Sequence, residues 1–260
     1  MPVIEVRDLS KSFSRDGKTV EAIADFSLAV NEGEFVSIVG PSGCGKSTFL
    51  HIVGGFETAG GGTIKLHGKA VAAPGPDRGM MFQEFSLYPW RSVFGNVVWP
   101  LEVQGYPKGE REQIAEKFLR KVGLLHFRDH YPAELSGGMK QRVALARVLA
   151  FDPNVLLMDE PFGALDAQTR ELMQEELQAI WQENKKTVLF ITHDIEEAIY
   201  LGDRVIVFTA RPGRIKEEVR IDLPRPRGIE VKKTAAYMDY RNRVWDLLRD
   251  EVLKARAEFG

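Results

Sequence analysis

The nine residues Gly40-Pro41-Ser42-Gly43-Cys44-Gly45-Lys46-Ser47-Thr48 restrict the folds open to this chain more than any other stretch. They follow a short apolar run, Phe35 to Val39, and lead into an apolar helical pattern through Phe49, Leu50, Ile52 and Val53. A buried strand, a glycine-rich turn and a helix in that order make one βα unit of a parallel sheet. The glycines let the backbone bend until successive N–H groups face one anion at the positive end of the helix. There Lys46 reaches the β- and γ-phosphates of a nucleotide, and the Ser47 hydroxyl ligates Mg²⁺. Lys46 is expected to be an exposed cation whose loss opens no core cavity. Cys44 matters through its backbone, although a helix N-terminus beside it predicts a reactive thiol. In a chain of 260 residues, average composition yields the pattern by chance about once in a hundred.

Further apolar runs at Val155–Met158, Thr187–Ile191 and Val205–Phe208 alternate with helical patterns. They predict more βα units on a mostly parallel sheet covered on both faces. Residues 3–6 alternate and 20–30 mix apolar with polar residues, with turns at Gly17 and Glu32-Gly33. That reads as a β-rich start, a small N-terminal subdomain. From about 85 to 150 the strand runs stop. Ile114, Phe118 and Val122 form one helical stripe ending at Gly123, and Met139, Val143, Ala146 and Leu149 form another. A helical subdomain inserted in an α/β core is expected there, within a domain at 1–228 that a helical tail at 229–260 follows. Arg211-Pro212-Gly213-Arg214 is a turn, and 224–227 is a Pro/Arg segment. Residues 211–260 carry 13 basic and 9 acidic side chains, and the tail reads as a solvated periphery.

Composition narrows the function classes. With 44% apolar and 28% charged residues the chain is neither disordered nor fibrous. Its single cysteine excludes a disulfide framework and fits a reducing compartment. No apolar run approaches the length of a membrane span, and the N-terminus lacks the apolar stretch of a signal peptide. A net charge of −2 gives no reason to expect nucleic acid as a partner.

Val155–Met158 ends in Asp159-Glu160-Pro161. Carboxylates at a strand end beside a phosphate loop suit Mg²⁺-assisted hydrolysis, Asp159 holding the metal through its water shell and Glu160 polarising the attacking water. In Leu135-Ser136-Gly137-Gly138-Met139, Ser136 is a natural N-cap and the two glycines leave the first helical N–H groups bare. Alone this is an ordinary cap. Beside a phosphate loop it is a second anion site without a lysine, so that two chains would meet head to tail around each nucleotide.

The phosphate loop, Leu135–Met139, Leu156–Pro161, Ala164-Leu165-Asp166 and Thr192-His193-Asp194 together resemble, in order, the ATP-binding subunits of ABC transporters over about residues 3–225. The resemblance implies an α/β P-loop NTPase core with a mostly parallel sheet, an antiparallel N-terminal β subdomain and an inserted helical subdomain. It implies ATP and Mg²⁺ as ligands, and Gln83 as the residue that senses the metal and the γ-phosphate. His193 would contact the γ-phosphate, and Asp166 would lie in the loop that meets the opposite subunit. Phe13 matches the aromatic that stacks on adenine; the family more often has Tyr or Trp, but the π-face suffices. Catalytic roles then fall to Lys46, Gln83, Glu160 and His193. Phe13, the loop from Gly40 to Thr48, Ser136, Gly137 and Gly138 would bind nucleotide; Ser47, Gln83 and Asp159 would hold the metal.

Met139 stands where the family usually has Gln. With Lys140-Gln141-Arg142, the segments Pro89–Val93 and Pro100–Glu102, and Ala210–Arg214, it resembles the nitrate/sulfonate/taurine importer branch. The implied partners are a second, identical ATP-binding subunit, transmembrane permease subunits and, indirectly, a solute-binding protein, at the cytoplasmic face of the inner membrane, with no nucleic acid. Phe85, Tyr88, Trp90, Phe94 and Trp99 are either subdomain core or the rim of a groove that receives a membrane subunit's helix, with Trp90 the exposed anchor. His126 and His130 lack a third ligand and read as a surface helix end; His51 and His67 belong to no pattern. Two rival classes remain. A soluble ABC-type ATPase acting on DNA or ribosomes would usually carry a coiled-coil insertion or two ATPase units, and neither is present. A non-hydrolysing regulatory module is disfavoured by intact Lys46, Asp159, Glu160 and His193.

Overall fold

A computed structural model describes residues 2–15 and 17–259. The strands in chain order are β1 (Pro2–Arg15), β2 (Lys18–Asn31), β3 (Phe35–Val39), β4 (Gly61–Leu66), β5 (Lys69–Ala70), β6 (Arg78–Met81), β7 (Val155–Asp159), β8 (Thr187–Ile191), β9 (Arg204–Phe208) and β10 (Ile215–Arg220). The helices are α1 (Lys46–Gly54), α2 (Val93–Val103), α3 (Lys108–Lys121), α4 (Gly137–Phe151), α5 (Ala167–Asn184), α6 (Ile195–Leu201) and α7 (Ala235–Phe259). They form two compact units, one built from residues up to Gly75 and from Trp181 onward, the other from Pro76–Ile180.

In the first unit β1 and β2 form a long antiparallel hairpin extended by β4 and β5, in the order β2-β1-β4-β5. Phe26, Leu28 and Val30 on β2 are buried while their neighbours face water, the period of a one-faced strand. A second sheet has β3 at its centre, paired in parallel with β8 and β9, with β10 antiparallel on β9. All residues of β3, β8 and β9 are buried, which is why they read as mostly apolar runs. Phe26 stacks on Phe208 and tilts against Phe49 of α1, with ring centroids 4.9 and 4.6 Å apart.

The tail departs from the solvated periphery that its charge implied. Tyr237, Val244 and Glu251 of α7 are buried, and so is Arg227. Arg227 donates to the carbonyls of Ile199, Tyr200 and Gly202, and Arg225 to that of Leu201, so the Pro/Arg segment satisfies the carbonyls that α6 leaves open at its end. Burial pulls the Arg227 pKa down to about 10, which leaves it charged at neutral pH.

In the second unit β6 runs parallel to β7, and α2, α3 and α4 pack on one another with α4 against β6. Buried Asn96 accepts from the Tyr88 N–H and donates to the carbonyls of Tyr88, Arg91 and Ser92, pinning the aromatic loop before α2. On α3 Ala115 and Leu119 are buried, while Ile114 and Phe118 of the expected stripe are half-buried; Val122, just past the helix end, is buried as expected. Val143, Ala146 and Leu149 of α4 are buried as expected, while Met139 is half-buried; Ala144, Leu145 and Ala150 are buried as well, so α4 is covered on nearly every side.

Candidate active site

The loop after β3 needs its glycines. Gly43 and Gly45 have φ of 74° and 103°. A Cβ at Gly45 would lie 2.6 Å from the Ala22 carbonyl oxygen, and one at Gly40 would lie 2.8 Å from Phe208 Cβ. Lys46 is only 7% exposed, and its Nζ donates to the carbonyls of Gly40 at 2.8 Å and Pro41 at 2.9 Å. The exposed cation expected from the sequence is therefore a buried one that ties the loop to itself. Ser42 and Gly43 are exposed, Pro41 is buried, and Gly45, Ser47 and Thr48 are half-buried. The Cys44 thiol is 1% exposed, and burial raises its pKa against the lowering influence of Lys46. This corrects the expectation of a reactive thiol: a helix N-terminus favours the thiolate, but desolvation outweighs it.

His193 emerges from the same edge of this sheet. Thr192 donates its N–H to the Ile38 carbonyl at 3.1 Å, so the chain after β8 leaves the sheet level with the start of the phosphate loop, and His193 is exposed there. Thr192 Oγ1 donates to Glu197 at 2.6 Å and accepts from the Asp194 N–H, and Asp194 caps α6; together they fix the turn that presents the imidazole. Phe13 on β1 is 43% exposed with Lys11 Nζ 4.9 Å from its ring centre, and Lys11 is itself held by Glu57 and the Thr58 carbonyl.

The second unit gathers Gln83, Asp159, Glu160, Ser136, Gly137, Gly138 and Asp166. Met81 pairs with Met158, which brings the ends of β6 and β7 level, and Gln83 Nε2 donates to Glu160 Oε2 at 3.3 Å. Asp159 is buried at the strand end. Glu160 adopts φ 48°, a left-handed backbone that costs a non-glycine residue about 1–2 kcal/mol. Its carbonyl accepts from the Gly163 N–H and from Gln141 Nε2 at 3.0 Å. Gln141 Oε1 in turn accepts the Ala164 N–H at 2.8 Å, so this one buried side chain of α4 ties the helix to the loop after β7. In the sequence Gln141 stands out only within the Lys140-Gln141-Arg142 segment. Its signal was an amide among the buried positions of an apolar helix.

Ser136 caps α4 as expected, its Oγ accepting from the Met139 N–H at 3.3 Å; Ser136 and Gly137 are exposed and Gly138 is half-buried. Asp166 is exposed, and hydrogen bonds from Thr169 hold its carboxyl below the usual aspartate range. Trp90 is 72% exposed beside Tyr88, while Trp99 is half-buried under the Arg91 guanidinium at 4.1 Å. His126 lies in a short 3₁₀ turn, Leu125–Phe127, rather than at an α-helix end, and the His130 ring packs edge-on against Phe127.

The profile of the ABC transporter family matches residues 23–163. The chain is 53% identical over 252 residues to an uncharacterized ABC transporter ATP-binding protein of Methanocaldococcus jannaschii, spanning 97% of this chain and 93% of that one. It is 46% identical to the nitrate import ATP-binding protein of a Synechocystis species, with 95% of each chain covered. It is 43% identical to the taurine import ATP-binding protein of Roseobacter denitrificans, with 99% of each covered. A solved dimeric ATP-binding cassette in a post-hydrolysis state, bound to ADP and Pi, superposes with a TM-score of 0.79 at 33% identity, covering 85% of this chain and all of the other.

Proposed function

Because this chain belongs to the ABC transporter family, as an ATP-hydrolysing cassette of the importer branch, we propose that it powers uptake of a small anionic solute of the nitrate or sulfonate kind. The observation that carries the catalytic part is the Gln83–Glu160 pair at the ends of parallel strands β6 and β7. Lys46 and the loop N–H groups hold the phosphates, Phe13 stacks on the base, His193 contacts the γ-phosphate, and Glu160 accepts the proton of the attacking water. Lys46 must exchange its Gly40 and Pro41 carbonyl partners for phosphate oxygen, so binding opens a contact that now closes the loop.

The Ser47 hydroxyl, the Gln83 amide oxygen and the Asp159 carboxylate would each offer Mg²⁺ a hard oxygen donor, the chemistry that ion prefers. When bound, Mg²⁺ neutralises charge developing on the phosphate oxygens. Two chains pair head to tail, Ser136, Gly137 and Gly138 of one facing the nucleotide held by the other. The similarity to a dimeric cassette bound to ADP and Pi supports that arrangement. Among the described residues no helix is long and apolar enough to cross a membrane. The similarity to importer ATP-binding proteins supports permease subunits as partners, with this chain docked at their cytoplasmic face and a solute-binding protein acting indirectly.

Co-purification from native membranes, followed by phosphate-release assays, tests the reading. Permease subunits should accompany the wild type, and Trp90→Ala should lose them while keeping basal turnover, since an exposed aromatic anchor commonly carries about 2 kcal/mol or more. Recovery of ribosomes or DNA in place of permeases would overturn the transport role. Failure to release phosphate from MgATP would overturn the hydrolytic one.

A further inference from the structure

The turn Thr209–Arg214 lies against the outside of the phosphate loop. Arg211 donates through Nη2 at 3.0 Å and Nε at 3.3 Å to the Gly43 carbonyl. Two residues on, the Gly213 N–H donates to the Ala22 carbonyl at 2.9 Å, and the Gly213 carbonyl accepts from Ala24 at 3.2 Å. A Cβ at Gly213 would overlap the Cys44 carbonyl oxygen. The turn is closed by Thr209, whose Oγ1 donates to the Pro212 carbonyl and accepts from the Arg214 N–H.

It is also anchored from behind. The Ala210 N–H donates at 2.9 Å to Glu251 of α7, a carboxylate only 2% exposed that also holds Lys216 at 3.0 Å and Lys254 at 2.8 Å. Burial alone would raise the Glu251 pKa, but these donors outweigh it and keep the carboxylate ionised.

A trans peptide points its C=O and N–H in opposite directions. With the Gly43 carbonyl held outward by a guanidinium, the N–H of Cys44 on the same peptide faces the loop interior. There it makes a long 3.4 Å contact with the Pro41 carbonyl, which also accepts from Lys46 Nζ. That donor is weakly committed and lies where an anion would replace a poor partner with a good one.

We propose that Arg211 is a positioning residue of the ATPase: it clamps the Gly43–Cys44 peptide from outside so that the Cys44 N–H is preset toward phosphate. The turn that carries Arg211 is held in place by Glu251 of the C-terminal helix. The inference rests on the phosphate-loop reading above.

Calorimetric titration of the full-length protein with MgATP tests it, using the wild type, Arg211→Ala, Arg211→Lys and, as reference, Lys46→Ala. Arg211→Ala should weaken binding about tenfold, the scale of one charge-assisted hydrogen bond, with the unfolding temperature unchanged. Arg211→Lys should recover part of the loss by donating to the same carbonyl. A direct grip persists when salt is raised from roughly 0.05 to 0.5 M KCl, whereas mere attraction between a remote cation and phosphate is screened. An Arg211→Ala affinity within twofold of the wild type, no recovery by lysine, or a loss that vanishes at high salt would each overturn the positioning role. If Lys46→Ala also binds MgATP normally, the phosphate-loop reading itself has failed; if Lys46→Ala loses binding and Arg211→Ala does not, only the clamp has.

Discussion

Gly45→Ala tests whether the phosphate loop is built as described. Position 45 has φ 103°, and an added Cβ would lie 2.6 Å from the Ala22 carbonyl oxygen and 3.2 Å from Ile23 Cγ1. The first term is backbone strain of about 1–2 kcal/mol for an L side chain in the left-handed region. The second is overpacking against a backbone atom, about 1–3 kcal/mol. Ala22 cannot retreat cheaply, because its oxygen also accepts the Gly213 N–H at 2.9 Å. A middle value of about 3 kcal/mol corresponds to a fall of roughly 6–12 °C in unfolding temperature for a domain of this size. Since the strain sits at the N-terminus of α1, nucleotide affinity should fall at least tenfold as well, about 1.4 kcal/mol. Differential scanning fluorimetry and MgATP titration read the two effects. An unfolding temperature within about 2 °C of the wild type would refute the close approach of β2 to the loop.

Lys46→Ala should weaken MgATP binding by about two orders of magnitude, the scale of a lost cation–phosphate contact, and it also removes the donor to the Gly40 and Pro41 carbonyls; an affinity within twofold of the wild type would refute the assignment. Cys44 should react with maleimide at pH 7 at least tenfold more slowly in the native protein than in the unfolded chain, because the thiol is buried and its pKa raised. A raised folded-state pKa favours the neutral thiol, so that contribution to stability is complete below about pH 8.5 and is lost as pH climbs through the folded value; equal labelling of native and unfolded protein counts against the burial. Glu160→Gln should bind MgATP, lose roughly 10²-fold or more in turnover, and sediment as a dimer that Ser136→Arg undoes; turnover within tenfold of the wild type removes Glu160 as the base.

What the sequence made legible follows from how each element is stabilised. β3, β7, β8 and β9 are buried throughout, so burial wrote itself into mostly apolar runs. β6 and β10 escaped notice because Arg-Gly-Met-Met and Ile-Lys-Glu-Glu-Val-Arg carry no strand pattern; of the six residues of β10 only Val219 is buried. These strands are specified by pairing with β7 and β9, which is tertiary information. The burial of Ala115 and Leu119 in place of Ile114 and Phe118 on α3 has the same origin, since α3 packs against both α2 and α4.

The site divides along a similar line. Residues whose roles depend on type and spacing were visible: the loop glycines, Lys46, Ser136 at its cap, and Glu160 at a strand end. Residues whose roles depend on a distant backbone group were not. Gln141 serves the Glu160 carbonyl and the Ala164 N–H, Asn96 serves the loop before α2, Arg227 serves the end of α6, and Glu251 serves the Ala210 N–H. Backbone groups are identical at every residue, so such partners leave no mark in the pattern of side chains. Each of these side chains is nonetheless buried and polar, and a polar group is kept in a protein interior only where a hydrogen bond offsets its desolvation. The packing around the loop belongs to the same class: Ala22 of β2, Phe208 of β9 and Gly213 of the Thr209–Arg214 turn close on Gly45, Gly40 and Cys44. The residue types of the phosphate loop are thus written locally, while its supports come from elsewhere in the chain, from Ala22 on β2 to Arg211 and Gly213 in the turn after β9.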